Sequence, residues 1–247
     1  MSKIDLLLDK PLMNAAGTLG FSPDPKSAVD VAQFGAFITN PVSWLPRTPA
    51  KGERFISYTG GFLLHTGHPN PGLRKVIQQH ARRWAQSPVP VIVHLLAQSD
   101  DSLRRMVERL EGIEEVMGVE VGLPPEIDAD QAYAMAVAAL GELSVIVKLP
   151  FERCEELALG MAELNISAIS LSAPRGVLPD KNGDLISGRL YGPAIFPQVL
   201  SAIKILNGLG IPVIGSGGVY TQRDMDAMLA AGAMAVQLDA VLWRGRF

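Results

Sequence analysis

The chain has 247 residues, 48% of them hydrophobic and 19% charged, with a net charge of −3 and a pI near 5.8. That length suits one α/β barrel core as a single domain over 1–247, no apolar run reaches the roughly eighteen residues that cross a bilayer, and the acidic balance argues against a nucleic-acid footprint. A single cysteine, Cys154, excludes an internal disulfide and supplies no thiolate cluster for a metal.

The opening Met1-Ser2-Lys3-Ile4-Asp5 lacks the charged start and long apolar core of an export signal, so the cytoplasm is the expected location. Apolar runs and their punctuation then predict eight strands, at 11–16, 36–39, 89–96, 119–123, 145–149, 168–172, 212–214 and 235–238. Their continuous apolar character suits strands covered on both faces, as in a parallel sheet wrapped by helices. Between them, spacing of three and four predicts helices at 26–34, 73–85, 101–115, 129–140, 152–164, 194–209 and 222–231. Pro25, Pro71, Asp100 and Thr221 signal starts, and Gly35, Gly141 and Gly210 signal stops. The expected fold is a (β/α)8 TIM barrel with a truncated final helix, because only seven residues follow Ala240. Apolar Val241, Leu242, Trp243 and Phe247 in that tail suggest a face covered by a symmetric partner, hence a homo-oligomer.

Two long loops, 41–69 and 173–193, follow strand C-termini, the end of a barrel that carries chemistry, and so suggest a lid over a site. Asn14-Ala15-Ala16-Gly17-Thr18 ends the first strand with small residues, which either admit a flat ligand to the backbone or only pack tightly. His65 and His68 titrate near neutrality and are candidates to exchange a proton. With no Asp, Glu or Cys in 65–72 they make a poor metal pair, and no metal is expected. His94 follows an apolar run, either as a core imidazole or facing the barrel mouth. Lys148 ends Val-Ile-Val-Lys, an ammonium aimed at an anion or a ring carbonyl in the mouth, or a rim cation reaching solvent. Gly192-Pro193 sets one helix start, and Gly215, Gly217 and Gly218 leave amides uncovered before another. Such amides hold a phosphate, or simply make a tight turn.

Taken together, Asn-Ala-Ala-Gly-Thr-Leu-Gly-Phe at 14–21, Gly-His-Pro-Asn-Pro-Gly at 67–72, Val-Lys-Leu-Pro at 147–150, Gly-Pro-Ala-Ile at 192–195, Gly-Ser-Gly-Gly-Val at 215–219 and Ala-Gly-Ala-Met-Ala-Val-Gln at 231–237 resemble class 1 dihydroorotate dehydrogenases. The motifs stand in family order over about residues 11–240. The resemblance implies a TIM barrel holding FMN at its C-terminal face. Ala15, Ala16 and Gly17 would lie beside the flavin ring, Lys148 at the ring or ribityl chain, and Gly192, Gly217 and Gly218 at the phosphate. Asn40, Asp239 and Ala240 fall at further cofactor positions, and Asn70 and Ser172 at substrate positions.

The chain also departs from the family pattern. Asn40 and Leu64 stand where the family has a lysine and a substrate asparagine. Glu-Val-Gly-Leu-Pro-Pro at 120–125 replaces the segment that carries substrate asparagines and the Cys or Ser base, Ser170-Leu171-Ser172 replaces an Asn-Thr type segment, and Asp239-Ala240 replaces Gly-Thr or Gly-Ser. The expected function is an FMN-dependent dehydrogenase acting on a small planar substrate other than orotate, with His65 or His68 as proton donor. The alternatives are a non-redox barrel that binds a phosphorylated metabolite or a protein partner, and a lyase or isomerase in which Lys148 forms a Schiff base.

Overall fold

A computed structural model describes residues 6–244. The opening segment 1–5 and Phe247, both used above, lie outside the described residues. In chain order the strands are β1 (Leu12–Asn14), β2 (Phe37–Ile38), β3 (Val42–Ser43), β4 (Phe55–Tyr58), β5 (Gly61–Leu64), β6 (Val91–Leu96), β7 (Val116–Gly122), β8 (Ser144–Leu149), β9 (Ala168–Leu171), β10 (Arg175–Pro179), β11 (Leu185–Tyr191), β12 (Val213–Ser216) and β13 (Ala235–Leu238). The helices are α1 (Leu73–Trp84), α2 (Asp100–Glu111), α3 (Ala129–Ala138), α4 (Cys154–Met161), α5 (Phe196–Asn207) and α6 (Gln222–Ala230). None is long and apolar enough to cross a membrane.

Eight of these strands run parallel in the order β1-β13-β12-β9-β8-β7-β6-β2. The ring closes between β1 and β2 through one bridge, Met13 to Ala36. Asn14 reinforces that seam, its side chain donating to Ile38 O at 2.7 Å and accepting from Ile38 N at 2.9 Å, so an amide side chain does the work of a missing ladder step. All eight expected strands are present, and the architecture is a TIM barrel. Its lower interior is plugged by Met13, Ile38, Ile92, Ile146 and Ile214, and a larger apolar layer lies between strands and helices.

One expectation is corrected. The helix expected at 26–34 is a run of turns ending in a short 3-10 piece, Val31–Gln33. Asp24, Ser27 and Asp30 each accept a hydrogen bond from the backbone N–H two residues on, and such local bonds compete with helix formation. The apolar tail, expected to await a partner, is covered only in part by its own chain, and Trp243 stays 48% exposed. Residues Ala240–Arg244 form a 3-10 segment in which Val241 and Leu242 are buried. Trp243 packs near Phe62 and Tyr191, with ring centroids at 5.8 and 6.4 Å, and its indole donates to Thr18 O at 3.2 Å.

The two long loops form an antiparallel sheet, β10-β11-β5-β4, standing over the mouth. Phe55, Phe62 and Tyr191 stack in a row across it.

Candidate functional site

Side chains on one face of a strand recur every second residue, so each strand of the plug presents its next inward residue one layer nearer the mouth. Ile92 is followed by His94, Ile146 by Lys148, Ala168 by Ser170, Ile214 by Ser216 and Ala235 by Gln237, and all five polar residues are buried. Glu120 comes from β7, paired in register with His94. A polar floor thus lies on an apolar plug.

Glu120, fully buried, is its hub. Oε2 accepts from His94 Nδ1 at 2.6 Å; Oε1 accepts from Gln237 Nε2 at 2.6 Å, Ser170 Oγ at 2.9 Å and Lys148 Nζ at 3.3 Å. Lys148 also donates to Gln237 Oε1 at 2.7 Å. Burial alone pushes the Glu120 carboxyl up, yet the Lys148 ammonium and the His94 and Gln237 hydrogen bonds outweigh it and hold the group well below the usual range. Burial lowers Lys148 and His94, against the pull of Glu120. The ionised carboxylate fixes the proton on His94 Nδ1, leaving Nε2 as an acceptor. The Lys148 nitrogen is thus engaged by two acceptors, Glu120 and Gln237.

Above the floor opens a cavity of about 190 Å³. Ala15, Ala16 and Gly17 form one wall, with Asn40, Lys148, Gly217, Asp239 and Trp243 around it, so the shelf and the cation do come together. Asn40 accepts from Gly20 N at 3.2 Å. A second cavity of about 480 Å³ adjoins it, sharing Leu64, Thr66, His68, Arg189 and Tyr191. That volume suits a small-molecule substrate. Arg47, Arg175 and Arg189 line the second cavity and no carboxylate does.

The remaining expected residues lie as follows. His65 lines only the second cavity. His68 lines both, but burial first and then Arg189, His94, Arg47 and Arg175 push its imidazole down to about 3, so it is neutral and no store of protons. Asn70 is buried and spent internally. Its Oδ1 accepts from Gly72 N at 3.0 Å and Ser43 N at 3.2 Å, while Nδ2 donates to Ser43 Oγ and His68 O. It positions the His68 backbone rather than reaching the cavity. Ser172 lines a small recess that shares Leu123, Pro125, Arg175 and Arg189 with the second cavity. Cys154 is buried in α4, its thiol pushed up to about 11 by burial.

The three glycines expected at the phosphate stand in different settings. Gly217 lines the cavity. Gly192 is pressed on the β4–β5 turn, where a Cβ would sit 2.5 Å from Gly60 O. The Gly218 amide, behind β12, donates to Asp239 Oδ2 at 3.4 Å. Ala240, buried at the head of the 3-10 segment, offers Asp239 a second amide. Burial raises the Asp239 carboxyl from 3.8 to about 6, and its Oδ1 has no hydrogen-bond partner among the described residues. Against the FMN that the resemblance implies, the ring end of the site fits, with small residues and a nearby cation. The phosphate end does not fit, because a carboxylate already occupies the amides there.

Glu120, Gln237, Arg189 and Trp243 were missed by sequence reasoning as site residues. Glu120 and Gln237 carry the signal that singled out Lys148, one polar residue inside an apolar run; Arg189 and Trp243 carry none.

A sequence model of the dihydroorotate dehydrogenase family matches residues 2–247. The chain is 27% identical over 252 residues to a protein of Desulforudis audaxviator named dihydroorotate dehydrogenase B (NAD(+)), catalytic subunit, covering 94% of this chain and 82% of that one. It is 30% identical over 255 residues to the protein of the same name from Geobacter sulfurreducens, covering 94% and 83%. Among solved structures, the dihydroorotate dehydrogenase of Eimeria tenella in complex with ferulenol superposes with a TM-score of 0.75 at 14% identity, over 94% of this chain and 76% of that one. That likeness bears on the fold.

Proposed function

Because this chain belongs to the dihydroorotate dehydrogenase family, we propose that it is a dehydrogenase acting on a small planar substrate other than orotate, with a flavin as its redox group. The observation that carries the reading is the buried Lys148–Glu120–Gln237 cluster beneath the shelf at 15–17. It sets a fixed cation at the floor of a ring-sized recess, and a buried ammonium with balanced partners is a preorganised electrostatic group. FMN is the flavin of the family resemblance, and the mismatch at its phosphate end is taken up below.

The chain's own residues divide the work. Lys148 presents positive charge at the floor, and Glu120 and Gln237 hold it there. Trp243 and the sheet β10-β11-β5-β4 roof the cavity and limit water. Arg189, on the wall shared by the two cavities and hydrogen-bonded to Tyr191, meets an acidic or carbonyl edge of the substrate. His68 orients the substrate as a neutral hydrogen-bonding imidazole. Substrate specificity differs from orotate in this reading because Leu64 supplies no hydrogen bond and Asn70 is engaged elsewhere.

The test is anaerobic titration of the flavin-loaded protein with planar, saturated-bond acids and imides, dihydroorotate among them, following bleaching of the flavin absorbance. Bleaching by such a compound, with dihydroorotate inert, is the expected result; failure of all of them defeats the reading. With a substrate in hand, His68→Ala is expected to raise KM about tenfold, the equivalent of one hydrogen bond, with a smaller change in kcat, while His65→Ala stays within about twofold.

A further inference from the structure

The turn after β12 runs through Gly217 and Gly218 at φ of +119° and +73°, and a Cβ on Gly218 would lie 2.6 Å from Phe196 N, so this turn is pressed against the start of α5. Backbone amides exposed by such a turn form a concavity suited to an anion. The anion there belongs to the chain. Asp239, 3% exposed, accepts from the Gly218 amide at 3.4 Å and from the backbone at 239 and 240. Its other oxygen, Oδ1, is buried with no hydrogen-bond partner among the described residues, and Asp239 lines the cavity beside Ser216 and Gly217. The nearby Lys148 ammonium attracts this carboxylate, but its hydrogen bonds go to Glu120 and Gln237.

A phosphate dianion brought to the same amides would meet a buried carboxylate and lose the donors it needs. A hydroxyl group would instead find an acceptor waiting in Oδ1. Given the flavin reading above, on which this rests, we propose that the Asp239 carboxylate takes the place of the cofactor's phosphate, so that the site selects a flavin ending in a hydroxyl, of the riboflavin type, over FMN.

The experiment uses the full-length apoprotein at pH 8 with EDTA, so that no bridging cation intervenes, titrated with riboflavin and with FMN and followed by flavin fluorescence and calorimetry. The wild-type protein is expected to bind riboflavin at least tenfold more tightly than FMN. Asp239→Asn, which keeps the shape and removes the charge, and Asp239→Gly, which frees the amides, are each expected to tighten FMN at least tenfold while riboflavin changes less. Wild-type protein that binds FMN as tightly as riboflavin or more tightly, with neither variant shifting the preference, overturns the proposal and leaves the flavin reading intact. Binding of neither flavin by any of the three proteins overturns both.

Discussion

At the floor of the cavity a single carboxylate serves four partners, and its neighbours depend on it more than it adds to stability. Replacing Glu120 with Ala leaves the Lys148 ammonium buried and uncompensated, a loss of about 3–5 kcal/mol that denaturant titration would read directly. Combining Glu120→Leu with Lys148→Met removes both charges together and is expected to recover most of that stability while abolishing turnover. Asp239 behaves oppositely with pH. Its folded-state value is raised from 3.8 to about 6, so on raising the pH the unfolded chain loses this proton before the folded one does. The stability Asp239 contributes when protonated is complete below 3.8, declines as the pH climbs to about 6 and is gone above that, a change of roughly 3 kcal/mol. Thermal unfolding from pH 4 to 8 is expected to show this decline in the wild-type protein and not in Asp239→Asn; parallel profiles would count against it.

Among the elements, the barrel strands were legible because a parallel strand buried on both faces reads as an unbroken apolar run, and each ended near its expected place. The polar floor is written in the same rows as single interruptions, at His94, Lys148 and Gln237. The sheet over the mouth was not legible. Its strands are four to seven residues long, largely exposed or half-buried, and interrupted by Gly61, Gly176, Gly188 and Pro179, so locally they read as loops. The neutral state of His68 was equally hidden, since it depends first on burial and then on Arg189, far along the chain, both of which arise only on folding. Gly192, which the resemblance puts at the phosphate, also meets a packing requirement invisible in the sequence: its φ is +124° and a Cβ there would lie 2.5 Å from Gly60 O. Gly192→Ala is expected to cost about 3 kcal/mol in chemical denaturation through strain and overpacking, whatever ligand is present.

For the whole molecule, the ring of eight strands is not equally joined around its circumference. Between β6 and β8 the ladders run five residues deep, while β1 and β2 share one bridge and the Asn14 side chain. Native-state amide exchange should therefore release Ile38 N–H well before the amides of β7 and β8, and equal protection all round would contradict that order. The loose joint continues directly into the Ala15, Ala16 and Gly17 wall of the cavity. Anything seated against that wall acts as a clasp on the least secured edge of the cylinder, so occupancy should be felt as slower breathing there, tying the endurance of the fold to the filling of its mouth.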